Sequence, residues 1–236
     1  MKLATWPRER RALLDTSNEI FAEVSKRYDC MKGLLSWGQE LTWKRRALER
    51  LVAVRSGRCL DLATGTGDIP VLMARVAPEM ACYGLDLNRA MLRRAVAGAT
   101  GLRRRVVCAD FSALPYASGS FDVVTIGYGL RYAPDLGGFF QEARRVLRPG
   151  GVLFSFDIGH PRNGAWRRLW MAYLLLSGSL MGLVLHWRLT TYWHLVESLR
   201  AFPEQPAVRA LMRESGFATV QSVEIMNGAL VAHGAS

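Results

Sequence analysis

Cysteine and histidine are scarce in this 236-residue chain, with four of each. Cys30, Cys59, Cys82 and Cys108 lie far apart, with no C-x-x-C pair and no histidine at ligand spacing. That excludes a disulfide framework and leaves no metal site to expect; four buried, reduced thiols are expected instead. Acidic residues are also short, 20 against 31 lysines and arginines, for a formal charge of +11. Such an excess points to phosphate, an anionic membrane surface or an acidic ligand, without choosing among them. No apolar core follows Met1 to Pro7, where Arg8, Arg10 and Arg11 come next, so no secretory signal is read and a cytoplasmic product is expected. Repeats and low-complexity tracts are absent. What is abundant is apolar surface. Half the residues are hydrophobic, a tenth aromatic and 22% charged, which excludes a disordered tail and a collagen-like fibre. At this length a single domain buries roughly 70% of the surface its unfolded chain exposes.

Charge is missing altogether from Leu169 to Trp187, 19 residues framed by Arg167-Arg168 and Arg188. Length alone makes it a membrane-span candidate. Ser177-Gly178-Ser179 and Gly182 interrupt it, and more chain of ordinary polarity follows. Core helices, or a lid touching lipid or a greasy substrate, are the alternatives; aromatic and basic edges suit an element lying at an interface.

The rest of the chain alternates between two periods. Ile20, Phe21, Val24 and Tyr28 recur at helical spacing over 17–30 behind Ser17, and Leu41, Leu48, Leu51 and Val52 mark a helix over about 39–54. Strand-like runs follow at 58–63, 81–86, 106–109, 121–126 and 152–156, the last after a Pro149-Gly150-Gly151 turn. Helices are expected behind Asp68 and Asn88 as caps, over 135–147 and over 204–215, and two strands close the chain at 219–225 and 229–232. Strands alternating with helices mean crossover units and a parallel sheet.

Three strand ends carry acids. Asp61 stands just before the loop Thr64-Gly65-Thr66-Gly67, whose glycines permit close backbone approach ahead of a helix start. A third glycine of the dinucleotide pattern is missing, since position 70 is Pro70, which disfavours a pyrophosphate cradle. Asp61 is placed where a site for S-adenosyl-L-methionine holds an acid near the methionine ammonium. Asp86, 19 residues after Gly67, can accept from two ribose hydroxyls. Asp110 can accept from an adenine amino group while Phe111 covers the base.

Together these residues resemble class I methyltransferases that use S-adenosyl-L-methionine. A narrower resemblance, to the ubiquinone/menaquinone biosynthesis C-methyltransferases, rests on several segments: Tyr28-Asp29-Cys30-Met31, Leu34-Leu35-Ser36-Trp37-Gly38, Trp43-Lys44-Arg45, Asp61 to Asp68, Ala113 to Tyr116, Gly129-Leu130-Arg131, Val146 to Gly151, Leu195 to Ser198 with Phe202-Pro203, and Asn227 to His233. It covers about residues 17–234. The chain departs from the family pattern at Arg131-Tyr132 (usually Arg-Asn), Gly127 (a cofactor-side serine), Asp157-Ile158-Gly159-His160-Pro161 (usually Glu-Phe-Ser-Lys-Pro) and Met31-Lys32 (usually Met-Asn).

The resemblance implies a Rossmann-like α/β fold: a seven-stranded, mostly parallel sheet with an antiparallel final strand and helices on both faces. Within the one domain, 17–55 is an N-terminal helical cap, 56–157 the cofactor core, 158–200 an apolar lid and 201–236 the closing helix and strands. It implies methyl transfer to a ring carbon of a prenylated hydroquinone, with Asp61, Gly65, Thr66, Gly67, Asp86, Asp110, Phe111 and Gly127 around the cofactor. Arg131 and Tyr28 would act at the acceptor; Asp157, His160 or a water held by Arg131 would take its proton. Trp166, Trp170 and Tyr173 share a helical face that serves either core packing or a prenyl tail. The arginine clusters, with Lys44-Arg45-Arg46 among them, read as solvated faces; gathered on one side they would hold the protein at anionic lipid. Methylation of another hydrophobic or phenolic small molecule stays open as the alternative. Nucleic acid is disfavoured because Ile126-Gly127-Tyr128-Gly129 lacks the Asn/Asp-Pro-Pro-aromatic segment of amino-methylating enzymes. Monomer and homodimer are both open.

Overall fold

A computed structural model describes residues 27–187 and 193–236, apart from the side chains at positions 28, 100, 185, 186 and 194. The Ser17 cap, the apolar positions before residue 27, Arg8, Arg10, Arg11 and Arg188 lie outside the described residues. Two helices open the described chain, α1 (Tyr28–Leu35) and α2 (Glu40–Leu51). The alternating part follows as β1 (Ser56–Leu62), α3 (Asp68–Val76), β2 (Glu79–Asp86), α4 (Arg89–Gly98), β3 (Val106–Cys108), β4 (Phe121–Gly127), α5 (Leu136–Val146) and β5 (Leu147–Ile158). Then come α6 (Gly164–His186), α7 (Trp193–Ala201), α8 (Gln205–Glu214), β6 (Val220–Ile225) and β7 (Leu230–Ala235).

The strands form one sheet in the order β3-β2-β1-β4-β5-β7-β6. β1 to β5 pair in parallel and β7 alone runs against both its neighbours, as expected from the resemblance. The strand order reverses between β1 and β4, so the crevice for a ligand lies beyond their carboxyl ends. Because alternate side chains leave a strand on opposite faces, the sheet carries two cores. Cys59 and Val123 join Leu48, Leu72, Met73, Trp170, Leu174 and Leu199 on one face. Leu60, Leu62, Val124 and Ile126 join Phe139, Phe140, Val146, Val208 and Met212 on the other.

Five expectations change. Cys59 and Cys82 are buried, but Cys30 and Cys108 are exposed; all four are free thiols. Pro149-Gly150-Gly151 is not a turn ahead of the strand: β5 runs through it, and the register against β4 jumps between Phe121 and Val123, so the extra residues bulge out. Leu41 faces solvent, and the buried face of α2 carries Glu40, Lys44, Ala47 and Leu48. Asp68 gives α3 no side-chain cap; Gly67, at φ 90°, stands at that helix start. By contrast, Asn88 Oδ1 caps α4 by accepting from Ala90 and Met91 N–H. The serines and glycine of the uncharged stretch do not break it, and α6 is one helix of 23 residues. Among the described residues no helix is long and apolar enough to cross a membrane.

Candidate functional site

Two cavities meet above the carboxyl ends of β1 and β4. The smaller is polar and lies over the glycine loop, lined by Asp61, Thr64, Gly65, Thr66 and Gly127 with Lys32, Lys44 and Asp68. Its floor is built by register: Asp61 sits opposite Thr125 on β4. Thr125 Oγ1 donates to Asp61 Oδ1 at 2.6 Å, and Thr64 Oγ1 donates to Oδ2 at 2.7 Å. Burial raises the Asp61 carboxyl to about 7, against the lowering effect of those two hydroxyls. Asp86 reaches back to the loop, accepting from Gly65 N–H at 2.8 Å through Oδ2 and from Asn88 N–H at 2.8 Å through Oδ1. Its carboxyl too is raised by burial.

The loop is shaped at some expense to the backbone. Ala63 and Tyr128, just past β1 and β4, hold φ of 49° and 59°, a region non-glycine residues seldom occupy. Gly129 lets the two strand ends approach: a Cβ there would stand 2.6 Å from Ala63 Cβ and 3.0 Å from Ile126 Cδ1. Gly127 is similarly confined, its absent Cβ falling 2.9 Å from Ile69 Cδ1.

The second cavity is large and apolar, about 490 Å³. α6 supplies Trp166, Leu169, Trp170, Tyr173 and Leu174, and α1 and its turn supply Met31, Leu35 and Trp37. Trp170 and Tyr173 stack at 5.5 Å, so the shared aromatic face forms a cavity wall. Arg131 is the guanidinium on that wall. It is 2% exposed, with Nε 2.5 Å from Asp157 Oδ1 and Nη1 donating to Ser198 Oγ at 3.4 Å. Asp157 does not line the cavity but stands behind Arg131, its carboxyl raised by burial and its Oδ2 without a hydrogen-bond partner.

A family model described as the ubiE/COQ5 methyltransferase family matches residues 9–236. The chain belongs to that family. It is 38% identical to a demethylmenaquinone methyltransferase of Thermus thermophilus, over 84% of this chain and 91% of that one. It is 35% identical to a ubiquinone/menaquinone biosynthesis C-methyltransferase of Dinoroseobacter shibae, over 91% of this chain and 87% of that one. Among solved structures, a methyltransferase dependent on S-adenosylmethionine from Thermotoga maritima superposes with a TM-score of 0.65 at 18% identity, covering 92% of this chain and 98% of its own, which shows the shared fold. The protein is therefore a methyltransferase, and the cofactor of that family is S-adenosyl-L-methionine. The donor set at the glycine loop suits that cofactor: Asp61 on the polar cavity, of about 30 Å³, for an ammonium, and Asp86 at the end of β2, outside that cavity, for ribose hydroxyls.

Measured against the family expectation, Asp61, Gly65, Thr66 and Gly127 gather on one cavity; Gly67 stands on the loop beside it, and Asp86, at the end of β2, reaches that loop through Gly65 N–H. Asp110 is half-buried and turned on its own chain, accepting from Ser112 N–H at 2.8 Å and Ser112 Oγ–H at 2.7 Å. Phe111 is buried edge-on against Phe139, with centroids 5.6 Å apart. His160 is turned away: its ring nitrogens meet the Phe202 carbonyl at 3.0 Å and Arg167 at 3.3 Å. Tyr28 opens α1, and its side chain lies outside the described residues. Lys44 is the clear miss. Read as part of a solvated basic face, it is 3% exposed, 2.5 Å from Glu40 Oε1 and 3.1 Å from Asp68 Oδ2. A lysine four residues after a glutamate is a common surface pair, so nothing in that spacing separated it from its exposed neighbours. Its position on the same helical face as Leu48 was the available signal.

Proposed function

We propose that this protein transfers a methyl group to a ring carbon of a prenylated demethyl-quinol, within menaquinone or ubiquinone biosynthesis. The observation that carries this reading is the apolar cavity of about 490 Å³ with one guanidinium, Arg131, on its wall beside the cofactor cavity. When bound, S-adenosyl-L-methionine supplies an activated methyl on a sulfonium. A quinol carbon attacks it well only when a neighbouring hydroxyl has lost its proton, and the same carbon must then shed its own hydrogen as a proton to restore the aromatic ring. Arg131 stays protonated, so it serves by stabilising the phenolate, with Asp157 fixing it from behind. Glu40, the one carboxylate among the described wall residues, is our candidate for the proton acceptor. Asp61 takes the cofactor's ammonium and Asp86 its ribose hydroxyls. The aromatic wall of Trp166, Trp170 and Tyr173 takes the first part of the prenyl tail. Incubation with labelled cofactor and a panel of demethyl-quinols tests this: label is expected in prenylated quinols ahead of tail-less phenols, whereas label appearing only in tRNA or DNA overturns the reading.

The same reading includes contact with an anionic membrane. Leu176 and Leu180 of α6 are 70% and 62% exposed, and Trp37 and Leu169 on the cavity rim 80% and 61%. With Leu183, Val184 and Trp187 they make an apolar stripe along the helix that opens the cavity, on a chain of charge +11. A lipophilic tail leaving the cavity along this stripe stays out of water if the stripe lies against lipid. Sedimentation with vesicles containing phosphatidylglycerol is expected to show binding that weakens with salt and falls roughly tenfold in Leu176→Ser/Leu180→Ser. Equal partitioning of the variant and the parent contradicts it.

A further inference from the structure

Two residues, Lys32 and Tyr128, line both cavities. Lys32 is 8% exposed and its ammonium points toward the cofactor loop, 2.5 Å from Asp68 Oδ2, 3.3 Å from Thr66 Oγ1 and 3.0 Å from Asp29 Oδ1. Lys44, paired with Glu40 Oε1 at 2.5 Å, approaches the same Asp68 oxygen at 3.1 Å, and its ammonium lies 4.7 Å from the centre of the Tyr128 ring. Two ammonium groups from two different helices of the cap thus converge on one point at the start of α3. They are the only cations among the described residues lining the polar cavity, which also presents the acids Asp61 and Asp68. Between them they hold the Asp68 carboxyl down to about 2, despite its burial.

The amino-acid end of the cofactor carries a carboxylate as well as an ammonium. A carboxylate entering a cavity with two acids is repelled unless cations face it. We propose that Lys32 and Lys44 together bind that carboxylate, sharing their charge between it and their present partners Asp68, Asp29 and Glu40, and that Lys32 thereby makes cofactor binding a precondition for acceptor binding. The second part follows from position. Lys32 belongs to α1, whose Met31 and Leu35 line the acceptor cavity, so a carboxylate gripped by Lys32 holds that wall in place. Charge-assisted contacts of this kind are directional and strong in a partly buried setting. The proposal rests on S-adenosyl-L-methionine as cofactor and adds to it the role of these two lysines.

The test uses the full chain and two cofactor relatives that differ in the amino-acid end. S-adenosylhomocysteine keeps the ammonium and the carboxylate, and 5′-methylthioadenosine keeps the nucleoside and loses both; removing a cation can weaken only the carboxylate's contact, not the ammonium's. Titration calorimetry is expected to show Lys32→Met weakening S-adenosylhomocysteine about 10- to 100-fold while leaving methylthioadenosine unchanged, with Lys32→Arg close to the parent. Equal losses for both ligands, or no loss for either, overturn the carboxylate assignment. A parent protein that binds neither ligand removes the cofactor itself, a different failure. For the coupling, tryptophan-fluorescence titration with an oxidised short-chain demethylmenaquinone is expected to show tighter binding to the parent with S-adenosylhomocysteine than with methylthioadenosine, and no such difference in Lys32→Met. Identical acceptor affinity with both ligands in the parent overturns the coupling.

Discussion

Replacing Arg131 by Met is expected to lower methyl transfer by about 10³-fold, the scale of losing a preorganised donor at a developing oxyanion. It should also destabilise the fold, since Arg131 and Asp157 are 2% and 3% exposed and form one buried pair. Removing one partner leaves a buried carboxyl uncompensated, an effect of about 3–5 kcal/mol. The two consequences can be separated. In Arg131→Met/Asp157→Leu no charge is left stranded, so stability measured by urea unfolding is expected to return toward the parent while transfer stays lost. Were the double variant to regain activity along with stability, Arg131 would be a packing residue and have no place in the chemistry.

Cofactor affinity is expected to fall steeply in acid. The Asp61 carboxyl is raised to about 7 because it is buried between strands. An ammonium binds only its ionised form, so below pH 7 each binding event must expel a proton, and affinity drops about tenfold per pH unit. With half of the carboxyl ionised at pH 7 and about 1% at pH 5, S-adenosylhomocysteine should therefore bind about 50-fold more weakly at pH 5 than at pH 7. Asp61→Asn is expected to bind weakly throughout with a flat profile; a flat profile in the parent would remove Asp61 from the ammonium. The protein without cofactor responds with the opposite sign at this residue. The folded state takes up the Asp61 proton near pH 7 and the unfolded chain only near the ordinary carboxyl value of 3.8, so lowering the pH between these values stabilises the fold through Asp61. His233 works against it. Burial lowers its imidazole from 6.5 to about 4, so the unfolded chain protonates first and stability is lost as the pH falls across that interval.

Most of the architecture was legible in the chain because the parallel strands are continuous apolar runs punctuated by glycine and capping residues. The acids at the ends of β1 and β2 were legible for the same reason, each standing at a change of rhythm. Other features depend on contacts between distant segments. Nothing around Pro149-Gly150-Gly151 distinguishes a turn from a bulge in β5; the pairing with β4 decides it. The burial of Lys44 depends on Asp68, 24 residues away, and that of Arg131 on Asp157, 26 residues away. The aromatic face of α6 could be read as a face, but only the approach of α1 makes it the wall of a cavity.

The most direct measurement is mass spectrometry of the product formed from methyl-labelled S-adenosyl-L-methionine and a prenylated demethyl-quinol. A single labelled methyl on a ring carbon, with both ring hydroxyls still free to be acetylated, is the predicted result. A labelled methyl ether, or a prenylated quinol left unlabelled while a tail-less phenol is methylated, contradicts the account.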